Sequence, residues 1–222
     1  MENIEIYKKN ITSQWGEDGI TEEIFKRIST KERFCIEFGA WDGKHLSNVW
    51  NLWHENNWSA LLIEGDEKKC KDLEISVSKF PKVKPYCAFV KKEGENSLDK
   101  ILAKTFLNKE IDLLSIDIDG NDYYILETLI AKPRVIIIEY NPTIPVSLDL
   151  VQDEDQYFGS SALSINTLAH QKGYKLVCIT ETNMFFVREN EFSKLGINEP
   201  MLEKIFISKH LTYIMTGYDG TP

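Results

Sequence analysis

Acidic residues and glycines follow two apolar runs of the chain at a spacing that suits a small-ligand site. The run "RFCIEF" contains Glu37, and Gly39 and Gly43 come after it as ExGxxxG, while the next run, "SALLIE", ends at Glu64. Glycine lets a backbone approach a ligand closely. The order differs from the GxGxxG loop that makes room for a pyrophosphate. The spacing therefore predicts a site for another kind of ligand.

The charge of this loop indicates what the ligand carries. Carboxylates so near the start of a helix repel a pyrophosphate, but they accept hydrogen bonds from an ammonium group or a hydroxyl. An acid at the position of Glu64 is typical of a contact with ribose hydroxyls. A ligand with a ribose and a cationic amine but no phosphate fits S-adenosylmethionine, and we predict this cofactor.

A second polar group follows two later apolar runs. "DLLSIDIDG" carries Asp117 and Asp119, which point the same way on a period of two. "RVIIIEYN" carries Glu139 and Asn141 with the same spacing. Clustered carboxylates beside an amide suit Mg²⁺ or Mn²⁺, with Asp119 and Glu139 as the predicted ligands. Asp119 is alternatively the leading candidate for a catalytic general base, and His45 competes for that role.

These residues need a scaffold that brings the ends of several strands together. Short apolar runs, typical of strands buried in a parallel sheet, alternate with segments of helical periodicity from "RFCIEF" to "RVIIIEY". We therefore predict an α/β fold: one doubly wound, Rossmann-like sheet of about seven strands, mostly parallel. "HLSNVWNLWHENN" is among the expected helices, and "YKLVCITETNMFFVRE" predicts a closing antiparallel hairpin. The expected parts are an N-terminal helical extension (1–32), a core (33–190) and a C-terminal extension packed on it (191–222).

Composition excludes several classes of protein. The 222 residues carry a formal net charge of −9, which argues against a nucleic-acid partner because phosphate binding needs clustered Lys and Arg. No apolar run approaches the length of a membrane span, and no secretory signal is recognisable. The four cysteines are far apart and include no CxxC, which favours a reducing cytoplasm. A small-molecule substrate is the expected partner, and the oligomeric state is left open.

The motifs together resemble a known family. "SQWGEDG", "CIEFGAWDG", "LSN", "LLIEGD", "NSLD", "LLSIDIDGNDYYILE" and "IIIEYNPTIP" are similar to the FkbM-like branch of class I S-adenosylmethionine-dependent methyltransferases, over roughly residues 13–188. The resemblance implies a seven-stranded sheet and methyl transfer to oxygen, often on a sugar. It implies cofactor contacts from Gln14, Glu37, Gly39, Ala40, Gly43, Ser47, Asn48, Glu64, Ala88, Phe89 and Asp117.

The expected function is O-methylation of a small sugar-like or phosphorylated metabolite in surface-glycan biosynthesis. Two other readings stay open, a non-catalytic nucleotide- or metabolite-binding module and, with less support, an NAD(P)-dependent oxidoreductase. Gln14, Glu17 and Asp18 of "SQWGEDG" are expected either to close over the cofactor or to cap the first helix. Tyr157, Phe158 and Ser160 are candidates for the border of the acceptor site.

Overall fold

The computed structural model describes residues 3–106 and 109–211. Seven strands form one sheet in the order β3-β2-β1-β4-β5-β7-β6. The strands are β1 (Phe34–Phe38), β2 (Ser59–Glu64), β3 (Val83–Cys87), β4 (Leu113–Ile116), β5 (Val135–Glu139), β6 (Tyr174–Ile179) and β7 (Asn183–Arg188). Strands β1 to β5 pair in parallel, and β7 is antiparallel to both β5 and β6. The mostly parallel sheet and the closing antiparallel hairpin are confirmed.

Helices cover both faces of the sheet. They are α1 (Glu17–Ile28), α2 (Glu67–Val77), α3 (Leu98–Thr105), α4 (Asp122–Thr128), α5 (Ala162–Gln171), α6 (Glu189–Phe192) and α7 (Leu202–Ile205). Alternation along the strands divides the core in two: Phe34 and Ile36 of β1 pack with α3, α4 and α5, while Cys35 packs on the opposite face with α1 and α2. This two-sided burial explains why β1 reads as a continuous apolar run.

The predicted helix "HLSNVWNLWHENN" is wrong over most of its length. Only a single π-helical turn forms, at Asn51–Glu55, and the preceding residues are irregular. The reason is local: Ser47 and Asn48 bond to Glu37 at the end of β1, and Leu46 adopts a positive φ of 53°. These bonds are incompatible with a helix beginning at His45, so the chain after β1 is a long loop.

The proposed division into residues 1–32, 33–190 and 191–222 stays a prediction, and its last eleven residues, 212–222, lie outside the described part. Within residues 3–106 and 109–211, every helix is too short or too polar to traverse a lipid bilayer.

Candidate active site

Glu37 lies near the carboxyl end of β1 and is 4% exposed. The Ser47 hydroxyl donates to its Oε2 at 2.6 Å, and the backbone N–H of Asn48 donates to its Oε1 at 2.7 Å. Burial raises the pKa of Glu37 to about 8, although these two hydrogen bonds act in the opposite direction. Glu37 therefore holds the loop after β1 through hydrogen bonds from Ser47 and Asn48, and its burial makes the ionised form unfavourable in free energy.

Glu64, the last residue of β2, holds the same loop from the other side. It is 6% exposed, and its Oε2 accepts the backbone N–H of Trp41 at 2.8 Å. Its Oε1 accepts the backbone N–H of Asp66 at 2.8 Å. A carboxylate oxygen can accept more than one hydrogen bond, so both oxygens retain capacity for a ligand hydroxyl.

The two glycines of the loop have different roles. Gly39 has a φ of 63°, and a Cβ there would lie 2.2 Å from the carbonyl oxygen of Asp117, so only glycine fits between β1 and β4. Gly43 has a φ of 80° and packs against Leu73 and Trp53. Neither Gly43 nor the buried Ala40 lines the cavity described next, in contrast to Gly39.

One cavity of about 730 Å³ runs along the carboxyl edge of the sheet. It lies where the strand order reverses, between β1 and its neighbours β2 and β4, which is where open α/β sheets bind ligands. It brings together most of the residues that the sequence singled out: Gln14, Glu37, Gly39, His45, Ser47, Asn48, Glu64, Ala88, Phe89, Asp117, Asp119, Glu139 and Tyr157.

Backbone strain is concentrated around this cavity. Trp41, Leu46, Asp119 and Asp155 all have positive φ values between 47° and 60°, and all four line it. Such conformations cost free energy and persist where the surrounding structure imposes them, often at functional sites. Trp41 was not singled out as a ligand-site residue; it is 43% exposed, and the Lys69 ammonium lies 4.0 Å from its ring centroid.

The acids of β4 and β5 form a cluster at the middle of the cavity. Asp117, Asp119 and Glu139 each place a carboxylate oxygen within 4.8 Å of the others. Burial, followed by the neighbouring acids, raises the pKa of Asp117 to about 7 and that of Glu139 to about 9. Among residues 3–106 and 109–211, no hydrogen-bond donor or cation is paired with any of the three carboxylates. An oxygen-only set of this kind suits a hard cation.

Other predicted residues near this cluster have structural roles. The Asn141 amide donates to the Phe158 carbonyl, and its oxygen accepts the backbone N–H of Thr143 at 2.8 Å. Asn141 therefore fixes the chain that follows β5 and does not line the cavity. Of the three candidates for the acceptor border, Tyr157 alone lines the cavity, whereas Phe158 and Ser160 do not.

The "SQWGEDG" motif shapes the N-terminal wall. The Oδ2 of Asp18 accepts the backbone N–H groups of Ile11, Thr12 and Ser13 at 2.8 to 3.0 Å and so folds the loop that carries Gln14 to the cavity. The residue that precedes α1 is a glycine without a side-chain cap, so neither acid caps the helix in the expected way.

Glu17 connects this wall of the cavity to the ends of β6 and β7 that meet at their turn. It is fully buried, and its Oε2 accepts the backbone N–H of Trp15 at 2.6 Å. Its Oε1 accepts the Thr180 hydroxyl at 2.5 Å and lies 3.4 Å from the Asn183 Nδ2. Asn183 lines the cavity, and sequence reasoning missed it because nothing near it in the chain indicates its partner.

Two cysteines beside the cavity form a disulfide. Cys70 of α2 and Cys87, the last residue of β3, are bonded, whereas Cys35 and Cys178 are free and buried. Cys87 is the register partner of Glu64, so the bridge lies beside the predicted ribose site. The disulfide runs against the inference of a reducing compartment from cysteine spacing, and the cytoplasmic location stays a prediction.

The seven-stranded sheet with its closing antiparallel hairpin has the fold of Rossmann-like methyltransferases, and comparison with known proteins agrees. Residues 89–176 match the family model of the methyltransferase FkbM domain, which confirms the resemblance drawn from the sequence motifs. The match begins at Phe89, one of the predicted cofactor contacts, and includes the acids of β4 and β5. None of the curated protein sequences matches the chain.

Solved structures share the fold at low sequence identity. A putative caffeoyl-CoA O-methyltransferase from Staphylococcus aureus superposes with a TM-score of 0.54 and 13% identity, over 85% of this chain and 93% of that one. The N-terminal domain of EvdMO1, crystallised with SAH and D-fucose, gives 0.50 and 12%, over 78% and 82%. The CMeT domain of the citrinin polyketide synthase gives 0.51 and 14%, over 78% and 51%. These likenesses establish the methyltransferase fold.

Proposed function

We propose that the protein is an S-adenosylmethionine-dependent O-methyltransferase that acts on a small sugar-like or phosphorylated metabolite in surface-glycan biosynthesis. The observation that supports it is a single cavity that contains both the Glu37–Glu64 frame and the acids of β4 and β5. Its volume of about 730 Å³ is large enough for a cofactor and a small acceptor together. Methyl transfer requires both reactants to be held in line at one place.

We assign the two halves of the cavity by analogy with where ligands lie along such a sheet. Glu64 receives the ribose hydroxyls, and Ala88 and Phe89, directly after β3, border the adenine. Glu37 and Gly39 face the methionine part over β1. The reactive methyl group then lies toward β4 and β5, where the acceptor enters.

The chemistry needs few protein groups. The acceptor oxygen attacks the sulfonium methyl carbon; the new C–O bond forms as the C–S bond breaks, and the hydroxyl proton leaves to a base. Asp119 is the exposed member of the carboxylate cluster and is our candidate for that base. His45 also lines the cavity, but it lies in the loop after β1, with its ring 4.8 Å from that of Trp41.

The acidic cluster also fits a divalent cation. Asp117, Asp119 and Glu139 offer only oxygen atoms, and the buried Oδ1 of Asn183 has no hydrogen-bond partner in the described part of the chain. Mg²⁺ or Mn²⁺ bound here would lower the pKa of an acceptor hydroxyl. The protein residues would orient that hydroxyl and exclude water from it.

Calorimetry with S-adenosylhomocysteine tests the proposal most directly. We expect a dissociation constant well below ~1 mM. A value of ~1 mM already corresponds to a binding free energy of about −4 kcal/mol, so weaker binding than expected would still be detected. Absence of binding at that concentration contradicts the proposal. Binding without turnover of any acceptor in a screen of sugars and nucleotide sugars favours the non-catalytic binding module.

A matched pair of variants tests the ribose contact. Glu64→Gln replaces a charged acceptor with an amide and is expected to weaken S-adenosylhomocysteine binding about tenfold or more, from a loss of roughly 1.5 to 3 kcal/mol. Glu67→Gln, three residues away on the exposed side of α2, should leave affinity unchanged. Equal affinities for Glu64→Gln and the wild type would show that Glu64 does not hold the ribose.

A further inference from the structure

The floor of the acceptor half is lined by three carboxyl groups and one side-chain amide. Asp117 and Asp119 follow β4, Glu139 ends β5, and Asn183 begins β7 directly opposite Glu139 in the register. The three carboxylates and the Asn183 Oδ1 all lack a donor within the described ranges 3–106 and 109–211. Whatever binds over these strands therefore meets several unsatisfied oxygen atoms.

Glu17 determines which atom of the Asn183 amide lacks a hydrogen-bond partner. The Nδ2 of Asn183 faces the Oε1 of Glu17 at 3.4 Å, while the Oδ1 has no partner. Rotation of the amide would bring its oxygen against the carboxylate of Glu17, which is itself held by Trp15 and Thr180. Because two acceptors repel each other, the buried Asn183 oxygen stays without a partner in the described part of the chain, whereas its N–H₂ group faces Glu17.

The cations that line the cavity lie in other parts of it. Of the described lining residues, Lys69 and Lys91 carry positive charge, and they belong to α2 and to the loop after β3. Both segments border the predicted adenosine half, and the Lys69 ammonium lies against the Trp41 ring. Phosphate and carboxylate groups offer no N–H or O–H to the Asn183 oxygen, and they would add repulsion beside any ionised member of the carboxyl cluster.

We propose that the acceptor presents an uncharged, hydroxyl-rich ring to this floor, and that Asn183, positioned by Glu17, determines this specificity. The proposal rests on the methyltransferase function proposed above and chooses between its two substrate classes: an unphosphorylated sugar or glycoside fits, and a sugar phosphate at the reacting end does not. Each ring hydroxyl can donate to one of the unsatisfied oxygens. Tyr157, 87% exposed at the rim, offers an aromatic face for the ring.

Matched probes test the class of acceptor. Methyl hexopyranosides are compared with the hexose 6-phosphates and hexuronates of the same ring stereochemistry, by saturation-transfer difference NMR on protein saturated with S-adenosylhomocysteine. We expect at least one uncharged member to bind about tenfold or more tightly than its anionic counterparts in EDTA, which keeps the carboxyl cluster free of a divalent cation. Tighter or equal binding of the anionic members, or no binding by any uncharged member, overturns the proposal.

The same sample separates this proposal from the function on which it rests. S-adenosylhomocysteine binding is measured first by calorimetry, and its absence refutes the methyltransferase function. Intact cofactor binding with a preference for anionic probes refutes the acceptor class alone.

Two variants test the role of Asn183. Asn183→Leu keeps the branched shape of the side chain, replaces the oxygen with a bulkier methyl group and should weaken binding of the preferred uncharged probe about tenfold, while S-adenosylhomocysteine affinity changes less than twofold. Glu17→Gln frees the amide to rotate and should shift probe preference in the same direction. Asn183→Ser keeps a small polar group and serves if the leucine variant does not fold. Unchanged preference in folded, cofactor-binding variants shows that Asn183 does not determine specificity.

Discussion

Acidic side chains lie at both ends of strands β4 and β5, but within the described part of the chain only those at the amino ends are paired with a cation. At the amino ends, Arg134 donates to Asp112 at 2.6 Å and to Glu191 at 2.7 Å, and all three side chains are buried. At the carboxyl ends, Asp117, Asp119 and Glu139 crowd together without a counter-charge among the described residues.

We call the amino ends, where Asp112 and Glu191 are paired with Arg134, the satisfied end, and the carboxyl ends with Asp117, Asp119 and Glu139 the unsatisfied end. Further hydrogen bonds stabilise the satisfied end. Asp112 also accepts the backbone N–H groups of Lys31, Glu32 and Arg33, and the guanidinium of Arg134 donates to the Ser29 carbonyl. The pair with Arg134 lowers the pKa of Glu191 to about 2, whereas burial among like charges raises the pKa of Glu139 to about 9. Acids kept unpaired at one end of a fold that pairs them at the other indicate a ligand site.

The largest loss of stability is expected from a substitution that removes the ion pairs at the satisfied end. Arg134→Met leaves Asp112 and Glu191 buried without their partner, and we expect a loss of about 3 to 5 kcal/mol in the free energy of unfolding. Lys104→Met removes an exposed ion pair with Glu95 and should cost at most about 1 kcal/mol. Urea denaturation of both variants measures the difference, and similar losses would refute the contrast.

The carboxyl edge is held by a covalent bond instead. The Cys70–Cys87 disulfide closes a 17-residue separation, and removing it with Cys70→Ser and Cys87→Ser should cost about 3 kcal/mol. Dithiothreitol should lower the melting temperature of the wild type to that of the double variant and leave the double variant unchanged. A wild type that dithiothreitol does not destabilise, with both thiols shown reduced by alkylation and mass spectrometry, contradicts this prediction.

Loss of Asp119 should affect turnover more than stability. Once an acceptor is known, Asp119→Asn is expected to lower turnover roughly 10²-fold, the usual contribution of a positioned base. EDTA dialysis separates the two roles: a general base leaves the rate intact, whereas a metal ligand makes transfer depend on added Mg²⁺ or Mn²⁺. Cofactor binding should survive in both cases. Undiminished, chelation-resistant activity of Asp119→Asn would exclude both roles.

Sequence reasoning succeeded where the signal is local. Glu64 ends one apolar run and Glu37 is the second-last residue of another, so their strands and their shared edge follow from periodicity alone. The loop after β1 was misread as a helix, because the apolar spacing around Trp50 and Trp53 cannot reveal that Ser47 and Asn48 bond to Glu37.

Long-range pairings were beyond the sequence. Glu17 and Asn183 are 166 positions apart, and neither residue type implies the other. The disulfide was missed for a similar reason: spacing along the chain does not give the distance between Cβ atoms that a bridge requires. The sheet order, which places β7 beside β5, brings Asn183 next to Glu139, whereas Cys70 and Cys87 meet because α2 packs against β3.

Relieving the unsatisfied end should stabilise the protein. Glu139→Gln removes a buried group that is either charged beside like charges or must take up a proton on folding, and we expect a gain of about 1 to 2 kcal/mol at pH 7 in EDTA. The same substitution at the satisfied end, Glu191→Gln, should destabilise. A loss of stability in Glu139→Gln would show that the acids have a partner that the geometry does not reveal.

The smallest effects are in the pH dependence of stability, where the two ends have opposite signs. Glu191 has a pKa of about 2 in the folded protein and about 4.3 in the unfolded chain. Its ionised form therefore stabilises the fold above about pH 4.3, and this stability is lost as the pH falls from there toward 2. The raised pKa of Glu37, about 8, has the reverse consequence, because its folded form holds a proton that the unfolded chain releases. Stability therefore falls as the pH rises from about 4.3 to 8, by at most about 1.4 kcal/mol per pH unit for this group.

Melting temperatures of the cofactor-free protein between pH 3 and 9 measure both parts of this stability profile, the acid limb below about pH 4.3 and the limb between pH 5 and 8. Glu191→Gln should flatten only the acid limb, since it removes the group that takes up a proton there. Glu37→Gln keeps the size of the side chain and should flatten only the limb between pH 5 and 8. Cofactor bound over Glu37 would change its surroundings, so its absence is part of the design. A Glu37→Gln profile parallel to that of the wild type across pH 5 to 8 would mean that the hydrogen bonds from Ser47 and Asn48 outweigh burial and keep Glu37 ionised.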